Sequence, residues 1–531
     1  MTGIVVEGWI NGVSPLDCTP LERVAVTSAE QISLVVERAR LAQSKWAERT
    51  VAQRAQILKR AGQHLMAHAD DIAHTLHREL GKPLTDCYTV DLGSAPEVFH
   101  YYTQPKNAAR LLASERVSFS RIQFPHKSGV VERVPHGVVG LITPWNYPVS
   151  IPLHNLVPAL LAGNAVVLKP SEYAARTGAL LVELLTQVLP DGLLGIVQGD
   201  GVSGEALVRS GIEAVVFVGG ARGGRAVAHA AADQLIPALL ELGGKDAAIV
   251  LPDADLERAA NGIAWAGLVN AGQSCAAIER IYVVASVAAP FTQELVKAVQ
   301  KLRLGDDAAN PGRAEIGPIA TDQQLATIQA HVAEALVMGA TKVAGGEPYV
   351  GPGRYYAPTI LSGVNSEMAL MRDETFGPIL PIQIVTDTSE AIRQANHSEY
   401  GLTASIWTSD LKNGERLARC LKAGVVTINN HMFSGAAPQA AWGGVGKSGY
   451  GVQNSKLAIL ALTRPRLIAI DSNPVKRELW WFPYNRALYD LGRGMLLWKG
   501  HAHGFKGWRR KLLGGIQMLR GVILRMWRMP R

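Results

Sequence analysis

Ala214-Val215-Val216-Phe217-Val218-Gly219-Gly220-Ala221-Arg222-Gly223-Gly224 decides the fold. Five apolar residues without polar alternation suit a strand buried on both faces, and a helical run at 225–235 follows the glycines. A glycine-rich turn there lets backbone amides approach a phosphate, whose charge the helix N-terminus attracts. The run is not the usual GxGxxG fingerprint, and such a turn is often only a chain reversal. Both readings stand on these residues alone.

The same texture recurs upstream in Val138-Val139-Gly140-Leu141-Ile142, Ala165-Val166-Val167-Leu168 and Leu194-Gly195-Ile196-Val197, with a helical stretch at 174–189. The order β-α-β-α predicts a parallel sheet covered by helices on both faces. A second series, Ala247-Ala248-Ile249-Val250, Ile281-Tyr282-Val283-Val284, Leu380-Pro381-Ile382-Gln383-Ile384-Val385, Ser405-Ile406-Trp407 and Gly424-Val425-Val426-Thr427-Ile428, predicts a second α/β domain. Residues 28–80 read as helices, capped by Ser28 with Glu30 and Gln31 and stopped by Gly81-Lys82-Pro83. Residues 115–134 alternate and read as a hairpin, with an exposed edge suited to pairing with another subunit.

At 531 residues and 48% hydrophobic content the chain has material for two or three domains. Cys18, Cys87, Cys275 and Cys420 lie far apart, without CxxC spacing. That argues against a disulfide framework or zinc site and for a reducing compartment. The N-terminus has no basic start or sustained apolar stretch, so a cytoplasmic protein is expected.

The net charge of +8 is a property of the tail: residues 466–531 carry fourteen Lys or Arg against three Asp or Glu, leaving −3 for the rest. Five of the eleven tryptophans, Trp480, Trp481, Trp498, Trp508 and Trp527, are there too. On a helix, Leu512, Ile516, Leu519, Ile523 and Met526 share one face, with Arg510, Gln517, Arg525 and Arg528 opposite. Such a stripe suits peripheral contact of residues 476–531 with an anionic membrane, where each basic residue contributes about 1 kcal/mol. No run approaches the roughly eighteen apolar residues needed to span. Packing on the protein itself or on a sister subunit is the equal alternative. Nucleic acid is not expected, because net charge alone is a generic attraction.

Cys275 ends the run Asn270-Ala271-Gly272-Gln273-Ser274-Cys275, and Glu241 opens Glu241-Leu242-Gly243-Gly244-Lys245 thirty-four residues upstream. A thiolate attacks carbonyl carbon well, and a carboxylate can take a proton from the thiol or from water. A lone cysteine is more often a small buried hydrophobe. In Lys169-Pro170-Ser171-Glu172, a lysine and a carboxylate at a strand end could hold ribose hydroxyls, or simply face solvent. His64 and His68 have the i, i+4 spacing of metal ligands, yet no Glu completes HExxH. With His74 and His77 they read as surface histidines, no metal is expected, and His501 and His503 receive no role.

Six ordered motifs give these residues a common setting: Thr143-Pro144-Trp145-Asn146-Tyr147-Pro148, Lys169-Pro170-Ser171-Glu172, Glu241-Leu242-Gly243-Gly244-Lys245, Gly272-Gln273-Ser274-Cys275, Glu374-Thr375-Phe376-Gly377-Pro378 and Gly443-Gly444-Val445-Gly446-Lys447-Ser448-Gly449. Over about residues 20–465 the chain resembles the NAD(P)-dependent aldehyde dehydrogenase superfamily of the hydrolytic, non-acylating type. The resemblance implies an α/β protein with a Rossmann-like cofactor domain (1–113 and 135–242) and an α/β catalytic domain (243–430). It adds a small β oligomerisation arm (114–134 and 431–465) of a homodimer or homotetramer, with 466–531 as a basic amphipathic extension.

The resemblance further implies a catalytic set of Cys275 as nucleophile, Glu241 as base for water, Asn146 as oxyanion donor, and Lys169. Its cofactor residues are Thr143, Pro144, Trp145, Lys169, Ser171, Glu172, Gly219, Gly220, Gly224, Leu242, Glu374 and Phe376, and its substrate tunnel is Tyr147, Ile151, His154, Val269, His431 and Phe433. Glu241 implies release of a free acid rather than transfer to coenzyme A, and Glu172 favours NAD, with NADP open. Two positions depart from the family. Gly220 stands where many relatives have serine. His154 stands where succinic semialdehyde dehydrogenases carry an arginine, which argues against an acidic semialdehyde, and the mostly apolar or aromatic tunnel residues point to a hydrophobic or aromatic aldehyde. The rivals are a catalytically silent binding or structural relative and a coenzyme A-acylating or acyl-reducing one.

Overall fold

The computed structural model describes residues 4–121, 124–347, 349–478, 480–499 and 504–526. Trp527, Arg528, His501 and His503 lie outside them. The chain divides into two units, Met1–Ala113 with Glu132–Arg466 and Ser114–Val131 with Leu467–Arg531.

The apolar runs of the first half become a five-stranded sheet of β1 (Val138–Ile142), β2 (Ala165–Lys169), β3 (Leu194–Ile196), β4 (Ala214–Val218) and β5 (Ala238–Glu241), in the order β5-β4-β1-β2-β3. Every pairing in it is parallel. β1 and β2 are buried along their whole length, because helices cover both faces. The helix after β4 runs Ala221–Asp233, four residues earlier than expected. The reason is that Gly223 and Gly224 join its first turn instead of extending the loop. Upstream, helices Ala29–Ala47, Val51–Ala67 and Ala69–Leu80 form as anticipated. Ser28 and Gln31 close a reciprocal capping box, and Gly81 ends the last of these helices at φ 72°.

The second half gives a seven-stranded sheet: β6 (Asp246–Val250), β7 (Ile278–Val284), β8 (Thr341–Ala344), β9 (Thr359–Ser362), β10 (Ile379–Val385), β11 (Thr403–Trp407) and β12 (Val425–Ile428). Their order is β8-β9-β10-β7-β6-β11-β12, parallel except for the β8–β9 pair. Each sheet has its own apolar core, one built from residues between Ile32 and Leu242 joined by Ala320, Ile459 and Leu462, the other from residues between Ala247 and Leu417. The edge pair β8–β9 was not anticipated, since β8 is largely exposed and lacks an apolar run.

Glu115–Val117 pairs antiparallel with Lys127–Pro135, the expected hairpin. Its other neighbour in the sheet is Thr463–Asp471, so residues 431–462, expected in the arm, contribute no strand to it. Within the second unit, helices Arg486–Lys499 and Gly504–Met526 follow. No helix among the described residues is long and apolar enough to cross a membrane.

Candidate active site

Parallel strands end together, so the residues after β1, β2, β4 and β5 collect along one sheet edge. Thr143 leaves β1 with its N–H donating to Lys169 O, 3.1 Å, at the end of β2. Gly219 N–H donates to Glu241 O, 3.1 Å, tying the turn after β4 to the end of β5. A cavity of about 210 Å³ opens here, lined by Pro144, Trp145, Asn146, Ile151, Gly219, Gly220, Glu241, Leu242, Cys275, Glu374 and Phe376 among others. A second, of about 170 Å³, is lined by Tyr147, Ile151, His154, Trp265, Cys275, Met432, Phe433 and Trp442 among others. Cys275 and Ile151 belong to both.

The turn carrying Cys275 is strained. Asn270, Ala271 and Gly272 are successively left-handed, at φ 54°, 55° and 71°. A Cβ on Gly272 would stand 2.2 Å from Gly377 O. For Ala271 such a conformation costs on the order of 1–3 kcal/mol. Hydrogen bonds hold it: Asn270 N–H donates to Asp86 Oδ2 (3.1 Å), and Asn270 Nδ2 donates to Asn146 O and Gln273 O (both 3.1 Å). Asn146 is 3% exposed; its Nδ2 donates to Gln273 O at 3.2 Å, and its Oδ1 has no partner among the described residues. Cys275 is half-buried. Burial pushes its thiol pKa up, with Asp246, Glu374 and Glu241 adding to the shift.

Glu241 is 5% exposed and neither carboxyl oxygen has a hydrogen-bond partner among the described residues. Burial pushes its pKa up to about 8. Gly451 makes the space, since a Cβ there would lie 2.6 Å from Glu241 Oε1. Glu374 reaches the glycines after β5, its Oε1 accepting from Gly244 N–H at 3.0 Å. The turn bearing Glu374 is pinned by Glu279, which accepts from Thr375 N–H (2.8 Å) and Phe376 N–H (2.7 Å) and pairs with buried Lys245 at 2.5 Å. Phe376, at φ 53°, meets the Trp145 ring edge-on at 5.6 Å.

Gly220 leaves open space, with nothing within 4 Å of a Cβ placed on it, and the helix starts at Ala221 with no side-chain cap. Exposed backbone N–H groups at a helix start fit a pyrophosphate. Gly224 instead packs on Leu242, 2.5 Å from a notional Cβ. Lys169 is buried and 3.7 Å from Glu172; burial lowers its pKa, Glu172 and Asp200 opposing. Ser171 Oγ caps the turn at Tyr173 N–H. Glu172 lines a separate cavity of about 390 Å³, and Thr143, Lys169 and Ser171 line neither cavity at Cys275.

Val269 and His431, expected on the tunnel wall, are not among its lining residues. Val269 is buried at the foot of the strained turn. His431 Nε2 lies 2.9 Å from Thr403 Oγ1 and 3.0 Å from Ala276 O, so it braces the residue after Cys275. His154 is buried against Asn454 Oδ1 at 2.6 Å. Burial lowers the pKa of both histidines to about 4, which keeps them neutral.

Several supporting residues escaped the sequence reading. Lys82, taken as a helix stop, is buried 2.8 Å from Asp91 with its ammonium 4.2 Å from the Tyr147 ring. Asp91 Oδ1 accepts from Val149 and Ser150 N–H, so this pair sets the entry to the helix that carries Ile151 and His154. His77 is buried rather than on the surface, with Nδ1 2.7 Å from Lys82 O and Nε2 3.0 Å from Asp306. His77, Asp306 and Asp307 cluster, but the Asp307 oxygens already accept from Leu84 and Gly312 N–H. A single sequence gives no signal for such long-range partners.

A thiol, a carboxylate and the glycine turn before a helix line one cavity at the end of a parallel sheet, the arrangement of an α/β enzyme site. The chain belongs to the aldehyde dehydrogenase family, whose model matches residues 7–468. It is similar to a 4,4'-diapolycopene aldehyde oxidase of Methylomonas sp, 37% identical, covering 92% of this chain and 90% of the relative. A Mycolicibacterium smegmatis chain provisionally named succinate-semialdehyde dehydrogenase [NADP(+)] is also 37% identical, over 85% and 86%. PnpE from Pseudomonas sp. WBC-3 has the same fold at TM-score 0.84 and 30% identity, covering 89% of this chain and 96% of that one. PnpE has also been solved in complex with nicotinamide adenine dinucleotide. The chain is thus an NAD(P)-dependent aldehyde dehydrogenase, oxidising an aldehyde to its acid.

Proposed function

We propose that Cys275 carries the oxidation covalently and that the substrate is a hydrophobic or aromatic aldehyde. The observation that supports this most is the position of Cys275 on both cavities, one carrying Glu241, Glu374 and the glycine turn, the other mostly aromatic and apolar. Bound dinucleotide supplies a hydride acceptor. Gly219 and Gly220 would leave room for its pyrophosphate, Lys169 and Glu172 would hold the adenosine ribose, Glu374 the nicotinamide ribose, and Trp145 and Phe376 flank that end.

The Cys275 thiol gives up its proton to water and sulfur bonds to the aldehyde carbon, moving the carbonyl π electrons onto oxygen. Asn146 Nδ2, with the Cys275 N–H, meets that oxyanion, an interaction typically contributing about 10² to 10³ in rate. Loss of the C–H electron pair as hydride leaves a thioester on Cys275. Glu241 takes a proton from water, hydroxide adds to the thioester carbon, and the C–S bond breaks to release the acid and the thiolate. The two unpartnered Glu241 oxygens suit this task, since no internal donor competes for them.

No Lys or Arg lines the second cavity among the described residues, so no Lys or Arg cation there pairs with a substrate carboxylate, in line with His154 replacing an arginine. NAD is favoured because Glu172 would repel a 2′-phosphate. The enzyme would work in the cytoplasm as a homodimer or homotetramer, a reading supported by the family and the hairpin at 115–135. A screen of aliphatic, aromatic and ω-carboxy aldehydes against both nicotinamides tests it. Preference for ω-carboxy substrates would overturn the substrate class, and a coenzyme A requirement would overturn hydrolysis.

A further inference from the structure

The basic C-terminal unit is built inside out for water. Helices Arg486–Lys499 and Gly504–Met526 touch through backbone: a Cβ on Gly494 would stand 2.5 Å from Gly514 O, and one on Gly521 2.7 Å from Ala487 O. Leu491 is buried with them, but the larger apolar set points away from the seam. Leu496 is 77% exposed, Leu512 50%, Ile516 57%, Leu519 60% and Ile523 54%. A helix pair in water turns its broad apolar stripe inward. Small residues at the seam with Leu and Ile outside is the order favoured where the surroundings are lipid.

Two further observations name the occupant. Exposed aromatic side chains, Trp480, Phe482, Tyr484, Tyr489 and Trp498, belong to the same unit, and such rings favour the membrane–water boundary. This unit carries sixteen Lys or Arg against four Asp or Glu, with Arg493, Arg509 and Arg520 exposed. A two-fold contact between copies through this face would set like charges against each other, whereas interface cores are depleted of charge. No helix among the described residues is long and apolar enough to cross a bilayer. We propose that the helical hairpin of residues 486–526 lies in the headgroup layer of an anionic lipid bilayer, apolar face down, as a peripheral docking surface. The proposal stands independently of the substrate reading.

Co-sedimentation of the full chain with phosphatidylcholine vesicles, with and without phosphatidylglycerol, tests this. Anionic vesicles should carry the protein down, less so at high salt, and neutral vesicles should not. Arg509→Gln with Arg520→Gln should weaken binding by about fivefold per arginine. Ile516→Ser, Leu519→Ser and Ile523→Ser together should abolish it. Turnover of propanal should be unchanged in each; if the triple variant is inactive, the arginine pair decides. Absence of sedimentation, or binding indifferent to both sets of substitutions, overturns the proposal. So does a change of oligomeric mass in the triple variant without any vesicle binding by the wild type, which would give the face to a second copy.

Discussion

Glu241→Gln tests the proposed hydrolytic half of the reaction. The Gln amide keeps size and burial but cannot accept a proton from water, and general-base assistance is typically worth about 10² to 10⁴ in rate. With a pKa of about 8, about one tenth of wild-type Glu241 is ionised at pH 7, so wild-type deacylation should climb roughly tenfold toward pH 9 and then level. The variant's steady-state rate should fall about 10²- to 10³-fold and lose that rise, while stopped-flow absorbance at 340 nm still shows a burst of one NADH per site. Stability follows with the opposite sign. A carboxyl whose folded pKa is raised stabilises fully below its unfolded value, 4.5, and loses that contribution as pH climbs through 8. Chemical denaturation across that window should therefore show a shallower decline for the variant. A steady-state rate unchanged by the substitution, or a rise near pH 8 persisting without the carboxylate, would refute the assignment.

Cys275→Ala should abolish turnover while leaving dinucleotide binding, read by calorimetry, unchanged. Asn146→Ala should lower kcat about 10²- to 10³-fold with little movement in dinucleotide affinity. Gly272→Ala should inactivate the enzyme and lower its thermal midpoint, since a Cβ there meets Gly377 O at 2.2 Å and the backbone sits at φ 71°. Glu172→Gln should raise kcat/KM for NADP relative to NAD, and an unchanged ratio would remove Glu172 from cofactor choice.

Apolar runs such as Val138–Ile142 and Ala214–Val218 could be read directly because strands buried on both faces need no partner to announce themselves. Thr341–Ala344 escaped because an exposed edge strand keeps its polar residues. In the site, Cys275, Glu241 and Asn146 were marked by local motifs. What orients them was not: Asp86 holding Asn270, Glu279 pinning Phe376 and Lys82 paired with Asp91 are contacts made across the fold. His431 shows the cost of reading by neighbourhood, since Phe433 lines the second cavity while His431, two residues away, turns back to Ala276 O. The tail's apolar stripe was visible as helical spacing, whereas its glycine seam needed both helices in view.

The covalent role of Cys275 is tested most directly by mass spectrometry of Glu241→Gln mixed with aldehyde and NAD and then digested. The peptide bearing Cys275 should gain the mass of the acyl group. Absence of any adduct despite NADH formation, or an adduct on Cys18, Cys87 or Cys420 instead, would contradict it.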